Sequence, residues 1–355
     1  MEKAILVGIK FKNNPIPFTE SLDELKKLAQ TAGAKPVNTI TQNRDRPDYQ
    51  FFIGKGKAED LKALCEKDKA DLVIFDHTLS PAQTRNLEEI LNLKVIDRTE
   101  LILDIFALHA QTREGKLQVE LAQLNFTLSH LTGQGTMLSR LGGGIGTRGP
   151  GETKLEVDRR KVREKISSLK RELESVREKR QLLRNQRKSN QIKTAAIIGY
   201  TNSGKSTLLN SLTNAGVLSA DKLFATLDTV TRRFYLQGKK QTILLTDTVG
   251  FISKLPHQLV KAFRATLEET IEADLLIHVI DSSSQYTEHQ IEAVYKTLEE
   301  MEISDKPILN VFNKTDKSAG QEIRLMEKYQ PSISISALNK EGLDKLAGKI
   351  EEILY

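Results

Sequence analysis

Two regions in which short strand-like runs alternate with helix-like ones, separated by a long stretch of leucine heptads, predict an α/β protein in three parts: an N-terminal α/β domain, a long antiparallel helical hairpin, and a second α/β domain. A third observation sets the last part apart. There an apolar strand pattern, Ala195-Ala-Ile-Ile-Gly199, runs directly into a glycine-rich turn.

In residues 1–111, Ala4 to Phe11 and Asp71 to Asp76 are β-type runs, and Ser21 to Gln30 and Lys57 to Lys67 carry helical periodicity. In 112–190, Leu117, Leu121, Leu124, Leu128 and Leu131 recur at spacings of four and three. So do Leu155, Val162, Ile166, Leu169, Leu173, Val176 and Leu183, with Arg159 and Arg180 at the two missing places. Each series is the seam of a coiled coil. The segment from Gly133 to Gly151, rich in glycine and containing Pro150, is expected to interrupt both helices and form a tip loop. At about 1.5 Å per residue, a helix from Glu152 to about Lys188 is on the order of 50 Å long, the geometry of a probe. Arg184 to Asn190, polar and basic, reads as the linker into 191–355, where strand-like and helix-like stretches alternate to Tyr355.

With 39% hydrophobic and 28% charged residues, the 355-residue chain has the composition of a globular protein. Its one cysteine, Cys65, excludes an intrachain disulfide. The N-terminus lacks the basic flank, apolar stretch and cleavage site of a leader. The longest apolar run of the last domain, Leu275 to Ile280, falls far short of the roughly 20 residues that cross a bilayer. The expectation is a cytoplasmic protein, free or peripherally attached at a membrane. A net charge of +6 and a pI near 9.1 suit an anionic partner without singling one out.

Chemistry concentrates in the last domain. Gly199, Tyr200, Thr201, Asn202, Ser203, Gly204, Lys205 and Ser206 match G-x-x-x-x-G-K-[ST], between the strand and a helical pattern that continues through Thr207. Backbone N–H groups of such a turn face phosphate oxygens, Lys205 offers a positive charge to the β- and γ-phosphates, and Ser206 can ligate Mg²⁺. Further on, the apolar strand Ile308 to Phe312 delivers Asn313, Lys314, Thr315 and Asp316, the N-K-x-D pattern. The Asp316 carboxylate can accept from N1–H and the 2-amino group of guanine, whereas adenine offers no 2-amino donor and leaves it unpaired. The Lys314 stem can cover the base, and Ser336, Ala337 and Leu338 resemble the loop whose backbone N–H meets the guanine O6. Between these, Asp247, Thr248, Val249 and Gly250 form D-x-x-G at a strand end, with Asp247 near the metal and the Gly250 N–H near the γ-phosphate. Upstream, Phe224, Ala225, Thr226, Leu227 and Asp228 lie where a GTPase keeps a threonine that ligates Mg²⁺ and reports the γ-phosphate; Thr226 is chosen, with Thr229 and Thr231 as rivals. The four patterns in this order predict a P-loop, Ras-like GTPase domain with GTP or GDP as ligand and Mg²⁺ as cofactor, in which Lys205, Thr226 and Gly250 carry the chemistry. Phe251 stands where Ras-like proteins have a water-orienting glutamine. Either hydrolysis is slow until a partner supplies the missing positioning, or Phe251 only packs and another group orients the water.

Beyond these motifs, Phe52-Ile-Gly-Lys-Gly-Lys57, the run Asp76 to Asn86 and above all Gly146-Thr-Arg-Gly-Pro-Gly-Glu-Thr-Lys-Leu-Glu156 are specific, and over nearly its whole length the chain resembles the HflX family of ribosome-associated GTPases. The resemblance implies binding to the 50S subunit and the 70S ribosome, a hairpin tip that reaches toward the peptidyl-transferase region, and GTP-dependent dissociation of stalled ribosomes. It places rRNA contact at Arg140, Gly142, Gly143, Gly144, Arg148 and Lys154, a basic and adaptable loop. It implies a monomer away from the ribosome. It also carries a second nucleotide activity, toward ATP, in the N-terminal domain, where Gly54-Lys-Gly-Lys57 is a phosphate-binding turn or simply a helix start. His77 and His109 have no partner at metal-ligand spacing. Longer members carry a further C-terminal domain, and nothing of what it does is transferred. Two other readings stay open: a GTP-gated RNA-binding or large-subunit assembly factor without splitting activity, and a signalling switch for a protein partner.

Overall fold

The computed structural model describes residues 1–12, 16–141, 154–189, 192–213, 223–224, 227–254, 270–303, 305–318, 320 and 322–355, with the backbone alone at 132–141, 154–155, 179 and 183–189. The chain divides into two compact units, one of Met1–Leu108 with Lys116–Val176, the other of His109–Gly115 with Arg177–Tyr355.

The first unit begins with a parallel sheet of β1 (Lys3–Lys10), β2 (Lys35–Asn43), β3 (Leu72–Phe75) and β4 (Lys94–Asp97) in the order β2-β1-β3-β4. Its crossovers are α1 (Phe18–Thr31), α2 (Lys55–Asp68) and α3 (Pro81–Leu91), and α4 (Arg98–His109) follows β4. Ile5, Val7 and Ile9 alternate onto one face of β1 and pack with Val73, Phe75 and Val95 beneath Leu61 of α2 and Leu87 of α3. Period-two alternation thus builds the core that covering helices complete.

The run from Asp76 to Asn86 has local structural work. Ser80 Oγ accepts the Gln83 N–H at 3.3 Å, Gln83 Oε1 accepts the Ser80 N–H at 2.9 Å, and Pro81 fills the first helical position, a complete capping box. Gln83 Nε2 and Asn86 Nδ2 tether the connection between β2 and α2 through the carbonyls of Asp48 and Gln50. Arg98 is buried and pairs with Glu24 and, at 2.8 Å, with Asp76, which also accepts the Ser21 hydroxyl at 2.6 Å. Gly54 caps α2, its N–H donating to Gln42 Oε1 at 3.0 Å, and a β-carbon there would stand 2.8 Å from Arg44 Nη1. His77 packs edge-on to Phe11 and tilted against Phe52.

The heptads become α5 (Arg113–Leu141) and α6 (Lys154–Ser189). Ile166 and Leu169 are buried on α6 as their seam requires, while on α5 Gln118, Val119 and Ala122 lie deepest and Leu117, Leu121, Leu124 and Leu128 are half-buried. Two expectations are corrected. Gly133 and Gly135 lie inside α5 rather than ending it: an interior glycine costs about 1 kcal/mol against alanine, which an already long hydrogen-bonded helix tolerates. Arg184 to Ser189 continue α6 rather than forming a linker, because glutamine, arginine and lysine are good helix formers and neither glycine nor proline stands there to stop it. Of the arginines in the seam, Arg159 Nη2 donates to the Leu131 carbonyl at 2.7 Å and Arg180 pairs with Glu114. The intervening loop, with Gly142, Gly143, Gly144 and Arg148, lies outside the described residues, and so do the side chains of Arg140 and Lys154.

The second unit holds β5 (Thr194–Gly199), β6 (Val230–Leu236), β7 (Gln241–Asp247), β8 (Leu275–Asp281), β9 (Ile308–Asn313) and β10 (Ser332–Ser334) in the order β10-β9-β8-β5-β7-β6, parallel except for β6. The described helices are α7 (Lys205–Thr213), α8 (Thr287–Glu300), α9 (Glu322–Lys328) and α10 (Leu343–Leu354). Ala195, Ile197, Val279 and Val311 face α7 and α10 through Leu208, Leu209, Leu346 and Ile350. Ala196, Ile198 and Leu276 face α8 through Val294 and Leu298. From β5 the chain builds one side of the sheet and then returns to build the other from β8. The crevice at their carboxyl ends is a topological switch point, where α/β sheets bind ligands. Among the described residues no helix is long and apolar enough to cross a membrane.

Candidate active site

The glycine-rich turn, D-x-x-G, N-K-x-D and the Ser336-Ala337-Leu338 loop follow the carboxyl ends of β5, β7, β9 and β10. The turn after β5 depends on two glycines: at Gly199, φ is +146° and a β-carbon would fall 2.2 Å from the Val279 carbonyl oxygen, and at Gly204, φ is +97° and a β-carbon would fall 2.3 Å from Asn313 Nδ2. Lys205 opens α7, and its Nζ donates to the carbonyls of Gly199 at 3.2 Å and Tyr200 at 2.8 Å. Burial pushes its pKa down to about 8; nearby Asp247 opposes that shift and Lys314 adds to it. The hydroxyls of Thr201 and Ser203 are buried in the same turn, Thr207 continues α7, and the Ser206 hydroxyl donates to Asp247 Oδ2 at 2.6 Å. A hydroxyl beside a carboxylate at a phosphate-binding turn is an all-oxygen donor pair, and it fits Mg²⁺, which takes few protein oxygens and completes its shell with phosphate and water.

The D-x-x-G segment lies directly against this turn. Thr248 Oγ1 donates to the Ile197 carbonyl at 2.8 Å, and Val249 is buried. A β-carbon at Gly250 would stand 2.8 Å from Thr201 Cα and 2.9 Å from Lys205 Nζ. Phe251 pairs with Tyr200 as an isolated bridge, its N–H donating to Gly199 at 3.0 Å and its carbonyl accepting from Thr201 at 2.7 Å. Its ring is 4% exposed among Ala196, Ile198, Tyr200 and Leu276. The ring thus packs into this core, and as a hydrocarbon it offers no hydrogen bond to a water.

At the other end of the site, Asn313 is buried and bridges two loops, with Nδ2 donating to the Ser203 carbonyl at 2.9 Å and Oδ1 accepting the Ala337 N–H at 2.9 Å. Lys314, at φ +64°, donates to the Asn202 carbonyl at 2.9 Å and to Asp281 Oδ2 at 2.7 Å. Thr315 Oγ1 donates to the Ile335 carbonyl at 2.9 Å. Asp316 is exposed, with one carboxylate oxygen accepting the Ser336 hydroxyl at 2.6 Å. Leu338, 69% exposed, ends the Ser336-Ala337-Leu338 loop. Asp281 escaped the sequence reading, because its partner Lys314 stands 33 residues away and only the pairing of β8 with β9 brings the two together.

The segment before β6 is described in part. Phe224 and Leu227 are buried, and the Asp228 carboxylate lies on the backbone N–H groups of Gln111 and Thr112. Ala225 and Thr226 lie outside the described residues. Of the rivals to Thr226, Thr231 is a strand residue of β6 whose hydroxyl meets that of Thr246 at 2.9 Å.

A lysine-bearing turn at one strand end and a guanine-type carboxylate at another, joined through Asn313 on a doubly wound sheet, place this molecule among the P-loop GTPases. The chain is 53% identical to the GTPase HflX of Lacrimispora saccharolytica, over 99% of this chain and 83% of that one, and 51% identical to the GTPase HflX of Caldanaerobacter subterraneus subsp. tengcongensis, over 100% and 81%. It belongs to the HflX family of GTPases.

Three family profiles match along its length: "GTP-binding GTPase N-terminal" at 19–107, "GTP-binding GTPase Middle Region" at 109–187 and "50S ribosome-binding GTPase" at 194–314. A crystal structure of a GTP-binding protein from the hyperthermophilic archaeon Sulfolobus solfataricus, in complex with GDP, is similar with a TM-score of 0.51 and 29% identity, covering 100% of this chain and 99% of that one.

Proposed function

We propose that this GTPase acts on the large ribosomal subunit, binding the 50S particle and the 70S ribosome and using GTP binding and hydrolysis to dissociate stalled ribosomes. The observation that carries the catalytic half is the Ser206–Asp247 pair beside Lys205, directly under Gly250. In this reading Lys205 holds the β- and γ-phosphates, the Gly250 N–H meets the γ-phosphate, and Asp316 and the Ser336-Ala337-Leu338 loop read guanine. Ser206 and Thr226 would ligate Mg²⁺, with Asp247 close by; when bound, Mg²⁺ neutralises charge on the β- and γ-phosphate oxygens. Water attacks the γ-phosphorus in line as the bond to the β-phosphate oxygen breaks, giving GDP and phosphate. Lys205 and the turn's N–H groups offset the charge that develops. Phe251 has no hydrogen-bonding side chain for that water, which supports turnover that is slow alone and raised by the ribosome.

The ribosomal half is supported by the family and by the match to a 50S ribosome-binding GTPase profile. Contact with rRNA is assigned to Arg140, Gly142, Gly143, Gly144, Arg148 and Lys154, where glycine permits close approach and cations meet phosphate. The working division remains 1–111, 112–190 and 191–355, in a cytoplasmic monomer.

The test is GTP turnover with and without purified 50S subunits, with Lys205→Ala as the blank, followed by subunit profiles of 70S ribosomes on a sucrose gradient. Stimulation by 50S that Lys205→Ala abolishes, with GTP-dependent conversion of 70S to subunits, is the expected result. Stimulation with intact 70S peaks leaves an assembly or RNA-binding factor, and flat turnover removes the ribosome as activator.

A further inference from the structure

The side chain of Lys314 is fixed at both ends. Its backbone stands at φ +64°, and its Nζ donates to the Asn202 carbonyl at 2.9 Å and to Asp281 Oδ2 at 2.7 Å. The methylenes between are held in place, where a lysine with a solvated ammonium would sample many rotamers. Of the two acceptors, the Asn202 carbonyl belongs to the glycine-rich turn and is neutral. Asp281 supplies the charge that balances the ammonium, and with Lys314 24% and Asp281 18% exposed the pair is largely out of water.

Asp281 is itself held. Its Oδ1 accepts the Ser283 N–H at 3.0 Å and the Ser283 hydroxyl at 2.6 Å, and its carbonyl accepts the Thr287 hydroxyl at 2.8 Å where α8 begins. It ends β8 directly beside Asn313 of β9, and the Ser282 N–H donates to the Asn313 carbonyl at 2.9 Å. A carboxylate with one oxygen on its own turn and the other on Lys314 cannot swing away without breaking bonds on both sides. The N-K-x-D pattern names the lysine and not this partner.

We propose that Asp281 is a positioning residue for nucleotide binding: it fixes the Lys314 stem as a shelf for the face of the purine ring. This rests on Lys314 being the residue that covers the base. A stem held by the protein itself spares the nucleotide the cost of ordering a lysine. The contact is with the ring face, so the gain is the same for any purine, whereas Asp316 reads the edge.

The experiment compares Asp281→Ala, Asp281→Asn, Lys314→Ala, Lys314→Met and Asp281→Ala in the Lys314→Met background, all in the full chain. It measures displacement of a fluorescent GDP by GDP and by inosine diphosphate, which lacks the 2-amino group, and the single-turnover rate of GTP cleavage at saturation. Asp281→Ala lowers affinity for both diphosphates about tenfold, the worth of one charge-assisted hydrogen bond, while their ratio and the saturated rate stay within about twofold. Asp281→Asn, which keeps an acceptor for Lys314 without the charge, loses about threefold. Lys314→Met keeps a stem that needs no ion partner, and in that background Asp281→Ala costs less than about twofold. Unchanged GDP affinity in Asp281→Ala, a changed ratio of the two diphosphates or a slower saturated rate overturns the proposal. So does a loss that persists in the Lys314→Met background, which would mean that Asp281 acts through the fold. If Asp281→Ala does not fold, Asp281→Asn alone and with Lys314→Met reads the same cycle, a loss against none. Lys314→Ala separates the proposal from its premise: without effect on GDP affinity, the reading of Lys314 as the cover of the base falls; with a loss there and none in Asp281→Ala, only the role of Asp281 falls.

Discussion

The hydroxyls of Tyr200 and Ser253 lie 2.6 Å apart, and the Ser253 N–H donates to the same phenolic oxygen at 2.8 Å, so the second residue of the phosphate-binding turn fastens the chain just beyond Gly250. Both residues are buried. Tyr200→Phe therefore removes both hydrogen bonds at this phenolic oxygen and is expected to cost about 1–3 kcal/mol, while Ser253→Ala costs less. A double-mutant cycle on thermal unfolding with GDP bound measures their coupling, expected at about 1 kcal/mol. Strict additivity would show that the contact is not made in solution.

Phe251 supplies backbone to the bridge with Tyr200 and its ring to the core. Phe251→Gln should therefore fail to speed hydrolysis. Instead it should lower stability by about 3 kcal/mol, because a buried amide replaces a packed ring. Single-turnover GTP cleavage and a melting curve on the same preparation decide it, and faster cleavage would show that the position can orient water.

Asp316 is the residue proposed to read guanine, and its carboxylate accepts the Ser336 hydroxyl. Asp316→Asn turns an acceptor into a partial donor. Affinity for GTP is expected to fall on the order of a hundredfold, while affinity for the xanthine nucleotide, which presents a carbonyl where guanine has the 2-amino group, rises. Competition between the two nucleotides gives the answer; equal losses for both would remove Asp316 from base recognition.

His278 is buried on β8, its Nδ1 3.0 Å from Asn310 Oδ1, and Asn310 also receives the Tyr295 hydroxyl at 3.1 Å. Burial pushes its pKa down to about 4; the bond to Asn310 opposes that, and the positive charge of Lys205 adds to it. The unfolded chain takes up this proton near the ordinary value of 6.5 and the folded chain only near 4, so stability is full above 6.5 and is lost as pH falls through that window. Between pH 7 and pH 5 the loss from this residue is about 2 kcal/mol. The urea midpoint of the wild type should fall more over that interval than that of His278→Gln, and equal slopes would mean that the histidine is solvated.

Arg98 neutralises Glu24 and Asp76 inside the first unit. Arg98→Met leaves two carboxylates in a buried place and should cost about 3–5 kcal/mol. Adding Glu24→Gln and Asp76→Asn should recover part of it. Stability is the readout, with GTP turnover unchanged; a melting curve indistinguishable from wild type would show that water already reaches the pair.

What could be read from sequence was contiguous chemistry. The turn from Gly199 to Ser206 and the tetrapeptide Asn313 to Asp316 announce themselves because each motif carries its function within a few residues and each follows an apolar strand. Contacts between distant residues did not show: Lys314 meets Asp281, 33 residues earlier, and Thr112 meets Asp228, 116 residues later, and no local pattern marks either pair. Helix ends were also hard to place. Gly133 and Gly135 look like stops and are not, since a helix already propagating absorbs the cost that would have prevented it from starting.

Asn313 joins the carbonyl of Ser203 to the N–H of Ala337 through a single planar amide. On the proposed roles, the loop that grips phosphate and the loop that reads the base are two jaws on one pin. A strain placed on either jaw is felt at the other. Selection for a looser hold on phosphate, as fast nucleotide exchange would demand, should then also blur the choice of base. On those proposed roles, exchange rate and fidelity are coupled through that one asparagine.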